Sequence, residues 1–262
     1  MYNAEESIIK TLDSIRNQDY EGEFEIIVIN DGSTDQSKKC VENYQSKYSN
    51  LNIQLLDQPN QGVSIARNRG LKVVTGKYIA LLDADDEWLK NKTTRQIQIL
   101  ENQELEVDLI GSLRNGNPLL PPYRLDNRNL AEVNLKKLLI RNELQPSTVI
   151  FNRKLLGNTG YFNPSQCHAE DVDYWMRATL HNKLFILGED LLFAGGGKRS
   201  FGSSGLSANL KAMTRGYINN INRLYEAGRI SKLALFFYSI FYRFKYLVLL
   251  TRTSYYNLLG KK

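Results

Sequence analysis

A run of apolar residues, Tyr78-Ile79-Ala80-Leu81-Leu82, ends abruptly in Asp83-Ala84-Asp85-Asp86, and no other pattern constrains the fold as strongly. A strand that is apolar at successive positions has to be covered on both faces, whereas a half-exposed strand alternates. Similar short runs occur at residues 25–30, 53–56 and 107–111. Segments with helical spacing or helix-starting residues separate them. These are Ile8, Leu12 and Ile15; Ser33-Thr34-Asp35 leading through Lys47; residues 63–73; and residues 93–101. The alternation predicts an α/β fold: a Rossmann-like, mostly parallel open sheet flanked by helices. In such sheets ligands bind beyond the carboxyl ends of the strands. Asp31 and the acids at 83–86 both follow strand ends, so they are expected to line one crevice.

Three like charges at a strand end repel one another, and a divalent cation relieves that conflict. Hard cations such as Mg²⁺ and Mn²⁺ favour carboxylate oxygens and take ligand phosphates as further partners. A solvated acidic turn is the plain alternative. Asp86 reads either as support behind the metal ligands or as a cap for the next helix, with the cap preferred.

The chain of 262 residues can hold one large domain with an appendage. Cys40 and Cys167 lack metal-ligand spacing, His168 and His181 are the only histidines, and no secretory signal opens the chain. A reduced, cytoplasmic setting is therefore expected. The net charge of +6 is concentrated at the C-terminus, where ten basic residues from Lys211 onward face one acid, Glu226. The remainder is slightly acidic, which argues against nucleic acid as a partner and for an acidic surface near the tail. The expected division is 1–210 for a catalytic domain and 211–262 for a basic, aromatic-rich helical C-terminal extension.

Asn3 and Glu6 have capping-box spacing, which predicts a helix from Ala4. An alternating fold would place a strand ahead of that helix, so either a further strand belongs before residue 1 or the fold does without it; the former is preferred. Residues 115–129, rich in Asn and Pro, read as a long loop. A helix is predicted over 130–141, a strand over 147–151 and an amphipathic helix over 169–178.

Four motifs in order, Asn30-Asp31-Gly32-Ser33-Thr34-Asp35, Asn60 to Gly70, Asp83 to Trp88, and Ala169-Glu170-Asp171-Val172-Asp173, resemble those of the family 2 glycosyltransferases. The resemblance runs from Tyr2 to about Leu206 and implies the GT-A fold and a nucleotide-sugar donor. It implies Asp85 as metal ligand with Asp83 assisting, and Mn²⁺ or Mg²⁺ as cofactor. Tyr2, Asp31, Arg67 and Asp83 become nucleotide-binding candidates. Asp171 becomes the general base, and Glu170, Lys198 and Arg199 candidates for acceptor or diphosphate contact. Gly195-Gly196-Gly197-Lys198 lacks phosphate-loop spacing; it reads as a flap over the diphosphate or as a simple flexible loop.

The function implied is transfer of a sugar, with inversion, from a nucleotide-diphosphate sugar, expected to be a UDP-sugar. The acceptor would be a saccharide or lipid-linked saccharide in bacterial surface polysaccharide assembly. A nucleotidyltransferase on a related fold and an inactive sugar-nucleotide binding module are the competing readings.

Leu233, Phe236, Phe237, Ile240, Phe244, Leu247 and Val248 recur at helical spacing among Lys232, Arg243, Lys245 and Arg252. The uninterrupted apolar run, 233–242, falls short of the ~20 residues that span a bilayer. A helix lying in an anionic membrane surface is the favoured reading, giving a peripheral location at the inner face of the cell membrane. A helix packed on the domain or at a dimer interface is the alternative.

Overall fold

The computed structural model describes residues 1–197 and 206–258. In chain order the elements are α1 (Ile8–Arg16), β1 (Glu25–Asp31), α2 (Ser37–Lys47), β2 (Asn52–Gln58), α3 (Val63–Val73), β3 (Tyr78–Ala80), β4 (Glu87–Trp88), α4 (Lys92–Glu101) and β5 (Leu109–Leu113). There follow β6 (Leu130–Val133), α5 (Leu135–Leu138), β7 (Ile150–Asn152), α6 (Leu155–Thr159), α7 (Glu170–Ala178), β8 (Leu184–Asp190), β9 (Leu192–Phe193), α8 (Leu210–Glu226) and α9 (Lys232–Leu258).

The α/β architecture is as expected, but the pairing is mixed rather than mostly parallel. β1 and β2 form a parallel pair. A second sheet has the order β3-β7-β5-β8-β6, in which only β5 and β8 run parallel. β6 and β7 run antiparallel to the strands they pair with. β4 and β9 form a small antiparallel ribbon beneath the acidic strand end.

Two expected elements differ. Residues 130–133 form an edge strand on β8, with Leu130, Ala131 and Val133 buried and Glu132 outside; only the four residues of α5 remain of the predicted helix. The capping box at Asn3 does not form either. Asn3 is left-handed (φ 47°), and its Oδ1 accepts from the Thr34 amide, so it braces the turn before α2 while α1 starts at Ile8.

The main core gathers Phe151, Phe162, Tyr174 and Trp175 with side chains from Leu71 through to Tyr242. Ile221 and Leu224 of α8 belong to that same core. α9 rests one face on it: Leu235, Tyr238, Phe241 and Tyr242 pack inward, and the Tyr242 hydroxyl donates to the Leu139 carbonyl (2.8 Å). The helix continues through Arg243, Lys245 and Arg252 to 27 residues. Within Lys232–Tyr256 an 18-residue window reaches a mean hydropathy of 1.5, so the helix is long and apolar enough, by length and composition, to cross a membrane. The length argument made from residues 233–242 alone does not hold.

Candidate active site

The loops after β1, β2 and β3 and the start of α7 open on one cleft, part of a continuous cavity of about 1640 Å³. Its first wall is built by close approach of two loops. Gly32 has φ +73°, and a Cβ there would lie 2.6 Å from the Asn60 amide nitrogen, so glycine is what lets the loop after β2 lie on the loop after β1. Asp31 fixes that contact. Its Oδ1 accepts from Gln58 Nε2 (2.7 Å) and the Gln61 amide (2.9 Å), and its Oδ2 from the Gly62 amide (2.9 Å). Asp31 thus shapes the turn that launches α3, with its carboxylate edge in the cleft. Tyr2, about half exposed, lines the cleft on the same side.

The acidic strand end forms the floor. The Asp83 amide donates to Ser147 Oγ (2.9 Å), and Trp88 Nε1 donates to the Ser147 carbonyl (3.0 Å), so a buried serine in the turn before β7 anchors the segment. Arg67, on α3, sits between floor and far wall. It holds Asp83 Oδ1 at 2.8 Å and Glu170 Oε1 at 2.7 Å, with its guanidinium over the Phe162 ring. Burial opposes the charge of Arg67, but the Asp83 and Glu170 carboxylates outweigh it and hold the pKa above its usual value. Glu170 is therefore the partner of Arg67.

Asp171 opens α7 from the opposite wall. Asn142 Nδ2 donates to its Oδ2 (3.0 Å). Burial pushes its pKa up to about 7; the Glu170 charge adds to this and Arg67 partly offsets it. Such a carboxylate is near the ideal strength for taking a proton at neutral pH. The backbone that aims it is unusual. Ala169 is left-handed (φ 54°, ψ 30°). Its carbonyl accepts from Gln166 Nε2 and Asn220 Nδ2, and Gly216 of α8 lies directly against the His168 carbonyl. Asn142, Gln166, Gly216 and Asn220 were not foreseen as part of the site. Asn142 and Asn220 lie 29 and 51 residues from the groups they hold, and only the fold makes them neighbours, whereas Gln166 is three residues from the carbonyl it binds.

Asp86 does not cap a helix, since α4 begins at Lys92 with Asn91 as its cap. Instead Asp86 Oδ1 accepts from the Gly195 amide (2.7 Å) and Oδ2 from Gln145 Nε2 (3.1 Å), tying the floor to the glycine-rich loop. Burial, then the Asp83 charge, lifts its pKa to about 7. Lys198 and Arg199 lie outside the described residues. Among the described residues no cluster of three or more His, Cys, Asp or Glu side chains is spaced to hold a metal ion. The carboxylates at this place are Asp83, which Arg67 holds, and the exposed Asp85. Two carboxylates completed by phosphate oxygens suit Mg²⁺ or Mn²⁺, so this donor set fits the group.

An α/β sheet with acids at its strand ends, facing a carboxylate at a helix start, is the arrangement of GT-A glycosyltransferases, and solved GT-A structures superpose on this chain. The *Staphylococcus aureus* poly(ribitol-phosphate) β-N-acetylglucosaminyltransferase TarS, residues 1–349 in complex with UDP-GlcNAc, matches with TM-score 0.66 and 26% identity, over 84% of this chain and 64% of that one. In sequence TarS is 30% identical over 190 residues, 72% of this chain and 33% of TarS. The amylovoran biosynthesis glycosyltransferase AmsB of *Erwinia amylovora* is 41% identical over 108 residues, 41% of this chain and 36% of AmsB. A third relative, the *Escherichia coli* UDP-Glc:alpha-D-GlcNAc-diphosphoundecaprenol beta-1,3-glucosyltransferase WfgD, is 29% identical over 187 residues, 70% of this chain and 68% of WfgD. The matched part of this chain spans about a third of the length of TarS and of AmsB. The family model for glycosyl transferase family 2 matches residues 1–158. The chain belongs to that family.

Proposed function

We propose that the chain transfers a sugar from a UDP-sugar to a hydroxyl of a saccharide or lipid-linked saccharide, inverting the anomeric centre, in bacterial surface polysaccharide assembly. The observation that carries this reading is Asp171: a carboxylate of pKa about 7, oriented by Asn142, across a cleft from Asp83 and Asp85. The acceptor oxygen attacks the anomeric carbon as its proton passes to Asp171 Oδ. The bond from that carbon to the diphosphate oxygen breaks on the opposite face, and the diphosphate leaves with the electron pair. A single displacement of this kind inverts configuration. Asp83 and Asp85 would hold the metal, which neutralises charge developing on the departing diphosphate.

Arg67 keeps Asp83 and Glu170 in place, and Asp31 fixes the turn against which the base would lie. Tyr2 offers a ring at the mouth for the base to stack upon. The names of TarS and WfgD, with a UDP-GlcNAc complex for the former, support UDP as the nucleotide and a cell-envelope acceptor. The exposed apolar face of α9, with its basic residues, supports a membrane surface as a further partner.

Titration calorimetry with UDP, with and without Mn²⁺, tests the donor side, and Asp171→Asn tests the base. UDP should bind more tightly with Mn²⁺, and the variant should lose transfer by about 10²–10⁴-fold while still binding UDP. Metal-independent UDP binding would remove the metal from the scheme. Loss of UDP binding in the variant would show that Asp171 is not a general base.

A further inference from the structure

The cleft does not end at Asp171. It continues along Arg141, Asn142 and Glu143 to Tyr217 of α8 and to Arg252 and Tyr256 of α9. This end carries the opposite charge from the acidic floor. Arg141 directly precedes Asn142, whose side chain donates to Asp171. Lys245 of α9 reaches across to the Ile140 carbonyl (Nζ 3.3 Å) and lies over the Tyr217 ring at 5.8 Å and the Phe241 ring at 5.7 Å. Arg252 follows Lys245 by seven residues. That is two turns, or roughly 10 Å, along the same side of the helix.

Tyr217 relates these cations to the base. Burial and then the Asp171 charge push its hydroxyl above the usual pKa, and the Arg141 charge opposes them. Asp171 and Arg141 therefore act on one phenol, whose ring lies under Lys245. Among the described residues Arg141 pairs with Glu143 (3.1 Å), and neither Lys245 nor Arg252 forms an ion pair. Cations gathered in excess over acids repel one another, and an anion relieves the conflict. Arginine and lysine donors suit phosphate oxygens. The donor's diphosphate has its place at Asp83 and Asp85, across the cleft from Asp171, whereas these cations adjoin Asp171 on its own side.

The chemistry beside the cations narrows the anion further. Val248 is one turn from Phe244, Lys245 and Arg252 alike. Phe244, Leu247 and Val248 are all exposed. The cations thus stand at the border of an open apolar stripe. A phosphate that carries an apolar chain meets both features, and a soluble phosphate meets only the first.

Resting on the reading of Asp171 as the base, we propose that Arg141, Lys245 and Arg252 form a subsite for the diphosphate of a lipid-linked acceptor, whose apolar chain leaves along Phe244, Leu247 and Val248. The acceptor saccharide then lies between the cations and Asp171, with its hydroxyl toward the base.

The test titrates geranyl diphosphate, a soluble prenyl diphosphate, into the full chain saturated with UDP, with excess Mn²⁺ in cell and syringe. The donor site is then already filled. Inorganic pyrophosphate and geraniol supply the head and the chain alone. Geranyl diphosphate should bind at least about tenfold more tightly than either. Lys245→Met and Arg252→Gln should each weaken it by about tenfold and leave UDP affinity within about twofold, which also reports that the variants fold. Unchanged binding in both variants, or displacement of geranyl diphosphate by rising UDP, would overturn the proposal. Pyrophosphate binding as tightly as geranyl diphosphate would overturn the lipid assignment, because a phosphate-bearing polymer would then satisfy the site. Loss of flotation with phosphatidylglycerol vesicles in the two variants, at unchanged geranyl diphosphate affinity, would overturn it by giving the cations to the bilayer surface. Failure of UDP to bind would count against the donor reading alone, and the same titration without UDP still decides the subsite.

Discussion

Substituting Gly216 by alanine separates aiming of the base from binding of the nucleotide. A Cβ at Gly216 would meet the His168 oxygen at 2.3 Å, its carbonyl carbon at 2.9 Å and Ala169 Cβ at 3.2 Å. A comfortable carbon–oxygen contact is about 3.3 Å, so α8 and the 168–169 segment must part by roughly 1 Å. Main chain cannot swing aside as a lysine tip can, and this stretch is further held by Gln166 and Asn220. The displacement passes into the first turn of α7 and hence to Asp171, and an error of about 1 Å in a reacting group costs on the order of 10²-fold in rate. Stability should move less. Overpacking costs about 1–3 kcal/mol, while alanine gains about 1 kcal/mol over glycine inside a helix. The assay is single-turnover transfer, with UDP titration and thermal melting of the same preparation. Gly216→Ala should lose about a hundredfold in transfer and keep UDP affinity within about twofold, because the nucleotide wall rests on the loops after β1, β2 and β3. Transfer within about threefold of the parent would refute the idea that α8 positions the base.

Transfer should rise with pH through about 7 as Asp171 loses its proton. Asn142→Ala removes a donor to the ionised form, so the acid limb of kcat/KM should move up by about one pH unit; an unmoved limb would mean that another group is the base. Arg67→Met leaves Glu170 buried without its partner and should lower stability by about 3 kcal/mol in denaturant unfolding, with Asp83, better solvated, adding little. A melt unchanged from the parent would show that Arg67 does not hold the two walls together. The full chain should float with anionic liposomes and not with neutral ones, and ending it before Lys232 should abolish that flotation. Equal flotation of both lengths would assign the exposed face of α9 to some other partner.

The side of the cleft that carries Asp31 and the acids after β3 was legible in the sequence because it is local. Asp31, the glycine beside it and the acids after β3 lie at strand ends that hydrophobic runs announce, and α3 forms over the predicted residues. What escaped notice depends on pairing across distance. Residues 130–133 become a strand only because β8 offers them an edge, and a four-residue segment carries too few side chains to distinguish the two periods. β8 was not among the expected elements, although the run Leu184-Phe185-Ile186-Leu187 has the composition of a strand. Asp86 resembled a cap because acids often start helices, yet its partner, the Gly195 amide, is 109 residues away. Asn142, Gly216 and Asn220 carry no motif at all. Their meaning is steric and appears only when α8 lies across the loop before α7.

That loop has a mechanical consequence. Alanine held in the left-handed region costs about 1–2 kcal/mol, and the methyl of Ala169 is buried in the core, where it cannot rotate away. The strain is opposed by Gln166, Asn220 and the close contact at Gly216, so α7 is clamped under preload, much as a spring seated against a stop has no free play. A backbone relaxed at Ala169 would gain a little stability and lose rigidity in Asp171, the carboxylate proposed as the base. In this chain stability is exchanged for aim at a single residue.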